Sequence, residues 1–482
     1  MIRGGTPGAI VRLGAPSPPP APHPLAVEAS RPGPLSRAGM GGFSGLGDLN
    51  SRRRRFAADL QWAATRHERL LALLRDRAGL DGGASEAALR QGSWLGLLVL
   101  HGGLPPRDAA AAWGDRDFVD WDVFADPAHA LTGWVLEAGP SAVVALGVAC
   151  SLPDAFARRL LSDHAGGAGA GRVVDEDREA LAILGDLAEP VLLARALNQR
   201  APLTLRANRL KATRDEVLAA LRVEGIDARP SRWTDDGVIV IDRPNVQSSP
   251  TVRAGLAEVQ DEGSALLVDL LAPRPGDVVV DACAGAGGKA LAIASRMGGD
   301  GTVLAADVRS SALQELGRRA QRAGASISAL TVGATGALPK RLRKLAGKAD
   351  CVLVDVPCSS SGALRRRPKA RWAVTDGEIA RLAGLQGEIL RRFAPLVRPG
   401  GVLVYATCSV FAEENEDVVR AFTSSPDGAE FERVPASDRL SRRVADSAVS
   451  GGVLRLLPHR HGTDGFFGIA LQRLPADPTV EP

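Results

Sequence analysis

The chain is poor in cysteine, and its cysteines do not form closely spaced pairs. Five occur among 482 residues, at Cys150, Cys283, Cys351, Cys358 and Cys408. The number is odd and no CxxC pair exists, which argues against a disulfide framework and against a zinc site. We therefore expect no metal centre, and we expect a cytoplasmic protein because free thiols persist in a reducing compartment.

Long apolar runs are missing as well. No segment approaches the roughly 20 apolar residues that a membrane helix requires, so we expect no membrane partner. Residues 1–50 are rich in Pro, Gly, Ala, Ser and Arg, and predict a disordered tail without a secretory signal. Two further interpretations of this tail stay open. In the first, the tail is an Arg-rich, acid-poor transit peptide. In the second, translation starts at Met40, one of only three methionines.

Length and patterning predict three regions after this tail, whereas the formal net charge of +4 is too small to identify a partner. Residues 51–195 place apolar side chains at three- and four-residue steps, which predicts a helical domain with RNA or partner binding as its candidate role. Residues 196–250 predict a small α/β unit, with a helix that begins after Thr213 and a strand at GVIVID. Residues 251–475 form the last predicted domain.

The last domain alternates apolar strands with helices. Its strand candidates are the runs DVVVDAC, TVLAAD, SISALTV, ADCVLVDV and GVLVYATC. Continuous apolar runs of this length are typical of central parallel strands. We therefore predict an α/β fold: a doubly wound, Rossmann-like sheet with a small α/β unit and an all-helical N-terminal domain. Ligands of such sheets bind at the C-terminal ends of the strands.

A glycine-rich loop, DACAGAGGKA at 281–290, follows the first of these strands and opens a helix. Its glycines permit a tight turn and let a ligand approach the amides of the helix N-terminus. A phosphate-binding P-loop needs glycine where Cys283 stands and Ser or Thr where Ala290 stands. The sequence therefore excludes a P-loop.

Two ligands remain compatible with this loop. A dinucleotide fingerprint is half met, by Gly285, Gly287 and Ala290. The other ligand is S-adenosylmethionine, a nucleoside cofactor without a pyrophosphate. Asp307 ends the next predicted strand and would bind the ribose hydroxyls of either ligand. The loop alone does not choose between them.

The cysteines favour S-adenosylmethionine. Cys358 follows the fourth predicted strand and Cys408 ends the fifth, so adjacent strands would bring both thiols to the rim that holds the glycine loop. A thiolate can add to carbon 6 of a cytosine or uracil ring. Carbon 5 then takes a methyl group from a sulfonium, an acid such as Asp355 stabilises the adduct, and a base removes the carbon-5 proton. Cys150 and the mid-strand Cys351 are instead expected to be core residues.

Several segments resemble a known family. DVPCSSSGALRRRP and YATCSVFAEENE, with LRANRLKAT, VQDEGSALLV and TDGFF, are similar to signatures of the bacterial Sun, RsmB-like RNA cytosine-5 methyltransferases. The resemblance covers about residues 200–475. It implies that Cys408 is the nucleophile and that Cys358 assists product release, whereas DNA cytosine methyltransferases attack with the cysteine of the PC motif. Spacing alone leaves that choice open.

The resemblance also implies a cofactor and a substrate. S-adenosylmethionine would be the cofactor, and structured RNA, above all ribosomal RNA, would be the substrate. We expect a monomeric enzyme. The implied cofactor-binding residues are the glycine loop and two acids: Cys283, Ala284, Gly285, Ala286, Gly287, Gly288, Lys289, Asp307 and Asp355.

Three alanines depart from the family's pattern. The family usually has Pro at Ala286, Thr at Ala290 and Asp at Ala334. These departures motivate an alternative function, a catalytically weakened RNA-binding ribosome assembly factor of the same fold. A nicotinamide-dependent oxidoreductase is a third interpretation, based on the glycine loop, but it leaves the two cysteines unexplained.

Basic segments supply the predicted RNA contacts. RRRPKARW at 365–372 and PKRLRKLAGK at 339–348 would bind phosphates on the face that carries the thiols. Trp372 would stack on a base. A solvated basic loop is the alternative for the second segment. The target nucleotide is not readable from the sequence.

Overall fold

The computed structural model describes residues 63–80, 86–102, 104–113, 119–138, 140–164, 188–241 and 244–475. The predicted disordered tail, residues 1–50, lies outside the described residues. The chain divides after Asn198 into two compact units.

The first unit is all helical in its described part. Apolar side chains that include Leu74, Trp113 and Phe124 pack into one buried cluster. The helices are α1 (Glu68–Arg77), α2 (Glu86–Gly102), α3 (Pro106–Trp113), α4 (Asp122–Ala125), α5 (Pro127–Ala138), α6 (Ala142–Ala149), α7 (Asp154–His164) and α8 (Ala188–Asn198).

The second unit begins with a small antiparallel sheet whose strand order is β2-β3-β1-β4. A capping box starts its helix, because the Thr213 hydroxyl accepts from the Glu216 amide while the Glu216 carboxylate accepts from the Thr213 amide. The predicted helix start at Thr213 is therefore confirmed. The elements are β1 (Leu203–Ala207), α9 (Arg214–Val223), β2 (Ala228–Pro230), β3 (Gly237–Val240), α10 (Pro250–Arg253) and β4 (Ala257–Val259).

A larger sheet fills the rest of this unit. Its strands are β5 (Val278–Asp281), β6 (Thr302–Asp307), β7 (Ser328–Thr331), β8 (Ala349–Asp355), β9 (Val397–Thr407), β10 (Phe431–Val434), β11 (Val449–Ser450), β12 (Val453–Leu456) and β13 (Phe466–Arg473). Its helices are α11 (Glu262–Leu271), α12 (Gly288–Arg296), α13 (Ser310–Ala323), α14 (Lys340–Arg343), α15 (Asp376–Phe393), α16 (Glu416–Thr423), α17 (Arg442–Ala448) and α18 (Pro458–His461).

The strand order of the larger sheet shows where a ligand site is expected. That order is β11-β12-β13-β9-β8-β5-β6-β7, with β10 paired to β13. Strands β5 to β9 pair in parallel, whereas β13 runs antiparallel to β9. The chain runs outward from β5 through β6 to β7, then returns to β8 on the other side of β5. The order therefore reverses between β5 and β8, and ligands of doubly wound sheets bind at such a switch point.

Apolar side chains cover both faces of the parallel strands, which explains why these strands read as continuous apolar runs. Val279 and Val280 are both fully buried, but they belong to two different apolar clusters. Helices α11, α12, α13 and α17 contribute to the first cluster, and α14, α15 and α16 contribute to the second. The predicted doubly wound α/β fold, with its small α/β unit and helical N-terminal region, is confirmed.

Candidate active site

The glycine loop follows β5 and requires glycine at two positions. Gly285 and Gly287 have φ angles of 55° and 83°, in the left-handed region that favours glycine. A Cβ atom at Gly287 would also lie 2.5 Å from the side chain of Leu316. The tight turn therefore brings the chain from β5 directly into α12, which begins at Gly288.

Asp307, at the end of β6, binds this loop from the neighbouring strand. Its carboxylate accepts from the Gly285 amide at 2.8 Å and from the Arg309 amide at 2.8 Å. Burial alone would raise the pKa of Asp307, but hydrogen bonds from Arg309 and Gly285 outweigh it, so the pKa lies below the usual value. A buried, ionised carboxylate at a strand end can accept ribose hydroxyls. Arg309, which the sequence reading missed, reaches the same carboxylate with Nε at 3.2 Å.

Lys289 and Asp355 form an ion pair that joins α12 to the end of β8. Lys289 Nζ donates to Asp355 Oδ2 at 2.6 Å, and the two side chains are only 13% and 25% exposed. Burial lowers the pKa of Lys289, but the Asp355 charge and hydrogen bond outweigh it and raise that pKa. The pair therefore holds its proton at the lysine. Phe466, in the TDGFF segment, places its ring centroid 5.9 Å from the lysine nitrogen.

The two predicted site thiols lie side by side. Strands β8 and β9 pair in parallel, with Asp355 opposite Ala406. This register carries the following loops to the same rim, where Cys358 Sγ and Cys408 Sγ are 3.3 Å apart and both are partly exposed. Cys351 and Cys150 are buried instead, as expected for core residues.

The paired thiols differ in acidity. A hydrogen bond from Cys358 lowers the pKa of Cys408, whereas donating that hydrogen bond raises the pKa of Cys358. Burial opposes the lowering of the pKa at Cys408 and adds to the raising of the pKa at Cys358. A hydrogen bond with the Ser360 hydroxyl, 3.6 Å from Cys408 Sγ, lowers the pKa of Cys408 further, and so does the charge of Lys289. Of the two thiols, Cys408 is therefore the one that ionises more readily. The thiolate is the nucleophilic form of cysteine.

The segment that contains Gly465 hydrogen-bonds to the Cys358 loop, which in turn hydrogen-bonds to Cys408. The Gly362 amide donates to the Cys408 carbonyl at 2.9 Å, and the Gly465 amide donates to the Gly362 carbonyl at 2.9 Å. A Cβ atom at Gly362 would lie only 2.4 Å from the Gly465 carbonyl oxygen. The TDGFF segment, which contains Gly465, therefore packs directly against the Cys358 loop and requires glycine there.

Asp281, the last residue of β5, is a buried carboxylate that the sequence reading did not single out. It is 1% exposed, and neither carboxylate oxygen has a hydrogen-bond partner of ordinary geometry. Burial, followed by the charge of Asp355, raises the pKa of Asp281 to about 7, although the Cys283 amide and Lys289 oppose that rise. The Cys283 thiol beside it is also mainly affected by burial, which raises its pKa.

In the first basic segment, residues 365–372, two arginines bind other parts of the protein. Arg365 is 7% exposed and donates to the carbonyls of Gly462 and Arg200. Arg366 pairs with Asp261 at 2.7 Å and with Asp464. Both guanidinium groups hold the loop in place. The prediction of a phosphate contact is wrong for the buried Arg365, whereas for Arg366, which is exposed, it stays a prediction.

The remaining residues of that segment divide between core and surface. Arg371 is fully buried and donates to the Pro368 carbonyl at 2.8 Å. Arg367 and Lys369 are exposed, and Trp372 is 39% exposed, which leaves a surface on which a base can stack.

The second basic segment lies at the other end of β8. Lys348 precedes the first residue of β8, whereas Cys358 follows the last. Arg341 Nη2 donates to the hydroxyl of Ser328, the first residue of β7, at 2.9 Å. Seven residues of strand at roughly 3.3 Å each separate the two ends by about 20 Å. The prediction that this segment shares the face of the thiols is therefore wrong.

The three alanines that depart from the family's pattern occupy different environments. Ala290 is fully buried in an apolar cluster, and Ala334 is exposed. The Ala286 carbonyl accepts from Arg319 Nη1 at 2.8 Å, which fixes the loop backbone at that position.

Neither a candidate metal cluster nor a membrane-spanning helix occurs among the described residues. Within the described ranges, no group of three or more His, Cys, Asp or Glu side chains is placed to hold a metal ion. In the same part of the chain, no helix combines the length and apolar character that crossing a bilayer requires.

Comparisons with known proteins agree with this geometry. Residues 268–472 match a family model described as 16S rRNA methyltransferase RsmB/F, and residues 190–247 match the ferredoxin-like domain of RsmF/B-like methyltransferases. Over these two segments, the chain is similar to the RsmB/F methyltransferase family. The resemblance on which the sequence analysis relied is thus confirmed.

Individual relatives cover the same region. The chain is 33% identical over 285 residues to ribosomal RNA small subunit methyltransferase B of Pseudomonas syringae pv. tomato, covering 58% of this chain and 61% of that protein. It is 35% identical over 274 residues to the Yersinia pseudotuberculosis protein of the same description, covering 56% and 60%. The matched region thus spans about three fifths of the length of these curated relatives. A solved methyltransferase homologue from Pyrococcus horikoshii has a TM-score of 0.53 at 25% identity, covering 70% of this chain and 99% of that one.

Proposed function

We propose that this protein is an S-adenosylmethionine-dependent RNA cytosine-5 methyltransferase that acts on ribosomal RNA. The observation that carries the proposal is the thiol pair at the switch point, with Sγ atoms 3.3 Å apart and pKa values displaced in opposite directions. A pair of this kind supplies one nucleophile and one protonated partner. The match to the RsmB/F family model and the descriptions of the relatives support ribosomal RNA as the substrate.

The residues around the glycine loop fit S-adenosylmethionine. The loop places backbone amides of α12 at the switch point, and Asp307 offers a carboxylate for ribose hydroxyls. The buried carboxylate of Asp281, at the start of the same loop, has spare capacity to accept from a donor that the chain itself does not supply. When bound, S-adenosylmethionine supplies a methyl group on a sulfonium, which is electrophilic without a metal ion.

The first chemical step belongs to Cys408 and Asp355. The Cys408 thiolate adds to carbon 6 of the cytosine, which forms a carbon–sulfur bond and moves the ring electrons toward the ring nitrogen and carbon 5. Asp355 takes up the proton that Lys289 Nζ holds 2.6 Å away and donates it to the ring nitrogen, which neutralises that charge. Carbon 5 thereby becomes the nucleophile that accepts the methyl group.

The second step releases the product. A base removes the proton from carbon 5, and those electrons restore the ring double bond as the carbon–sulfur bond to Cys408 breaks. Cys358 is the candidate for this step because its sulfur lies 3.3 Å from the sulfur that leaves. As the protonated member of the pair, Cys358 can donate to the Cys408 thiolate as the carbon–sulfur bond breaks.

RNA reaches the site over surfaces that remain exposed. Arg367, Lys369 and Trp372 lie on the loop that also carries Cys358. The exposed cations near α14, at the other end of β8, form a second surface for RNA phosphates: Lys340, Arg341, Arg343, Lys344 and Lys348. A ribosomal RNA is large enough to contact both surfaces. A cytoplasmic location and a monomeric state stay predictions.

Three assays test this function. Purified protein should transfer a labelled methyl group from S-adenosylmethionine to small-subunit ribosomal RNA, and bisulfite sequencing of RNA from a strain without the protein should lose one methylated cytosine. Calorimetry should show binding of S-adenosylmethionine and none of NAD. Heat with NAD alone would support an oxidoreductase. RNA binding without methyl transfer would support the assembly factor, which the alanine departures at Ala286, Ala290 and Ala334 motivate.

A further inference from the structure

A buried carboxylate lies behind the two cysteine loops. Glu414 follows β9 and is fully buried. Its side chain accepts four hydrogen bonds: from the Ser359 amide at 2.8 Å, the Ser359 hydroxyl, the Ser409 hydroxyl at 2.6 Å and Gln386 Nε2 at 2.9 Å. All four donors are neutral groups that lie on the two cysteine loops or on α15.

Two of the residues that donate to Glu414 are serines next to the two site cysteines. Ser359 directly follows Cys358, and Ser409 directly follows Cys408. We propose that Glu414 is a positioning residue that binds both cysteine loops through these serines and so sets the distance and orientation of the two thiols. The assignment of attack and release to those thiols rests on the proposed function, whereas the positioning of the thiols does not.

The carboxylate is itself held by rigid elements. The Tyr405 hydroxyl, on β9, donates to the Glu414 carbonyl at 2.6 Å. Gln386, on α15, donates both to Glu414 and to the Pro357 carbonyl at 3.1 Å, beside Cys358. Both supporting side chains are fully buried. The contacts around Glu414 therefore link a strand and a helix to the loops they support, which is how a precise reactive geometry is maintained.

The charge of Glu414 also acts on one thiol more than on the other. It adds to the raised pKa of Cys358, after the hydrogen bond to Cys408, burial and the Cys408 charge. The chief influences on Cys408 are instead Cys358, burial, Ser360, Asp355 and Lys289. Glu414 therefore binds both loops, while its charge adds to the other causes that raise the pKa of Cys358.

Glu414→Gln tests the positioning role. Glutamine keeps the volume but loses the charge and presents donors where the carboxylate accepted four hydrogen bonds. We expect kcat for methyl transfer to fall by about 10²-fold, because small displacements of reacting groups have effects of that size. KM for RNA should change little, because Glu414 is buried and does not contact RNA. Glu388→Gln, at an exposed position of α15, is the matched control and should behave as the parent.

Alkylation of the thiols gives a readout that needs neither RNA nor methyl transfer. Iodoacetamide labelling at a series of pH values, followed by mass spectrometry of the two cysteine peptides, measures each thiol separately. In the parent, Cys408 should react at lower pH than Cys358. In Glu414→Gln, the pH midpoint for Cys358 should fall and the preference for Cys408 should shrink, which a mere loss of stability does not produce. If the parent protein methylates no RNA, the proposed function fails while this labelling still decides the role of Glu414.

Two serine variants cover the case in which Glu414→Gln does not fold. Ser359→Ala and Ser409→Ala each remove one donor to Glu414, and each should reduce kcat with little change in KM. An unchanged order of labelling together with an unchanged kcat, in Glu414→Gln or in both serine variants, would overturn the positioning role.

Discussion

The loops that follow β8 and β9 carry similar cysteines, but the protein holds them differently. Cys408 lies one residue beyond β9, so the strand itself fixes its backbone. Cys358 lies in a long loop that Arg365 and Arg366 attach to distant segments. The thiol next to the strand has a lowered pKa and the thiol in the loop has a raised pKa. The comparison suggests that the nucleophile occupies the more rigid position and its partner the loop.

The largest expected effect comes from Cys408→Ala. Removing the nucleophile should reduce methyl transfer by at least about 10⁴-fold and leave no covalent protein–RNA species, because no carbon–sulfur bond can form. Denaturing gels with labelled RNA measure the covalent species. Binding of S-adenosylmethionine and RNA should persist in this variant, which shows that it is folded.

Cys358→Ala should have the opposite effect on the covalent species. Attack and methyl transfer remain, but release should slow by roughly 10²-fold or more, since the group that assists it is gone. A protein–RNA species that survives denaturing gels should accumulate. If Cys408→Ala accumulates that species and Cys358→Ala does not, the two roles must be exchanged.

Asp355→Asn should slow attack without changing which thiol attacks. Loss of the carboxylate removes the partner of Lys289 and the stabiliser of the ring adduct, so we expect a decrease of about 10²-fold in rate and little covalent species. Single-turnover methyl transfer measures this rate. A rate equal to that of the parent would remove Asp355 from the mechanism.

The pKa of Cys408 should depend on Cys358. Because a hydrogen bond from Cys358 is the largest cause of its lowered pKa, Cys408 should be alkylated in the parent at a pH below the usual midpoint of about 8.5. In Cys358→Ala that midpoint should move upward. Labelling of Cys408 across pH 5 to 10 measures both values, and identical profiles would show that the pair is not coupled.

The smallest effects separate loop anchoring from RNA binding. Arg366→Ala breaks partly buried ion pairs and should destabilise the protein by roughly 2–4 kcal/mol, measured by urea unfolding. Arg343→Ala, at an exposed position, should change stability by less than about 0.5 kcal/mol. Only Arg343→Ala should lower the log–log salt dependence of RNA binding, by roughly 0.7 to 0.9. The reverse pattern would restore the first basic segment as an RNA-binding surface.

The sequence alone was sufficient to predict the parallel strands and the meeting of the thiols. Strands buried on both faces read as apolar runs, and the ends of adjacent parallel strands must share a rim. Strands β10 to β12 were not predicted, because they have only two to four residues each, and the eight-residue antiparallel strand β13 was not predicted either. Individual parallel strands were located closely, except that β9 begins at Val397, earlier than the apolar run.

Side-chain partners that lie far apart in sequence could not be predicted. The acids that neutralise Arg366 are Asp261 and Asp464, each about 100 residues away. A basic run therefore looks the same in sequence whether the fold buries it or leaves it in solvent. The role of Glu414 was hidden for the same reason, since its serine and glutamine donors come from separate loops and helices.

The central claim, that Cys408 attacks the cytosine, is tested most directly by locating the covalent bond. RNA that contains 5-fluorocytosine carries fluorine where the enzyme must remove a proton, so the parent protein should remain attached to the ring after methyl transfer. Mass spectrometry of the digested complex then identifies the modified peptide. We predict that the nucleotide is attached to the peptide that contains Cys408, and attachment to the peptide that contains Cys358 would contradict this account.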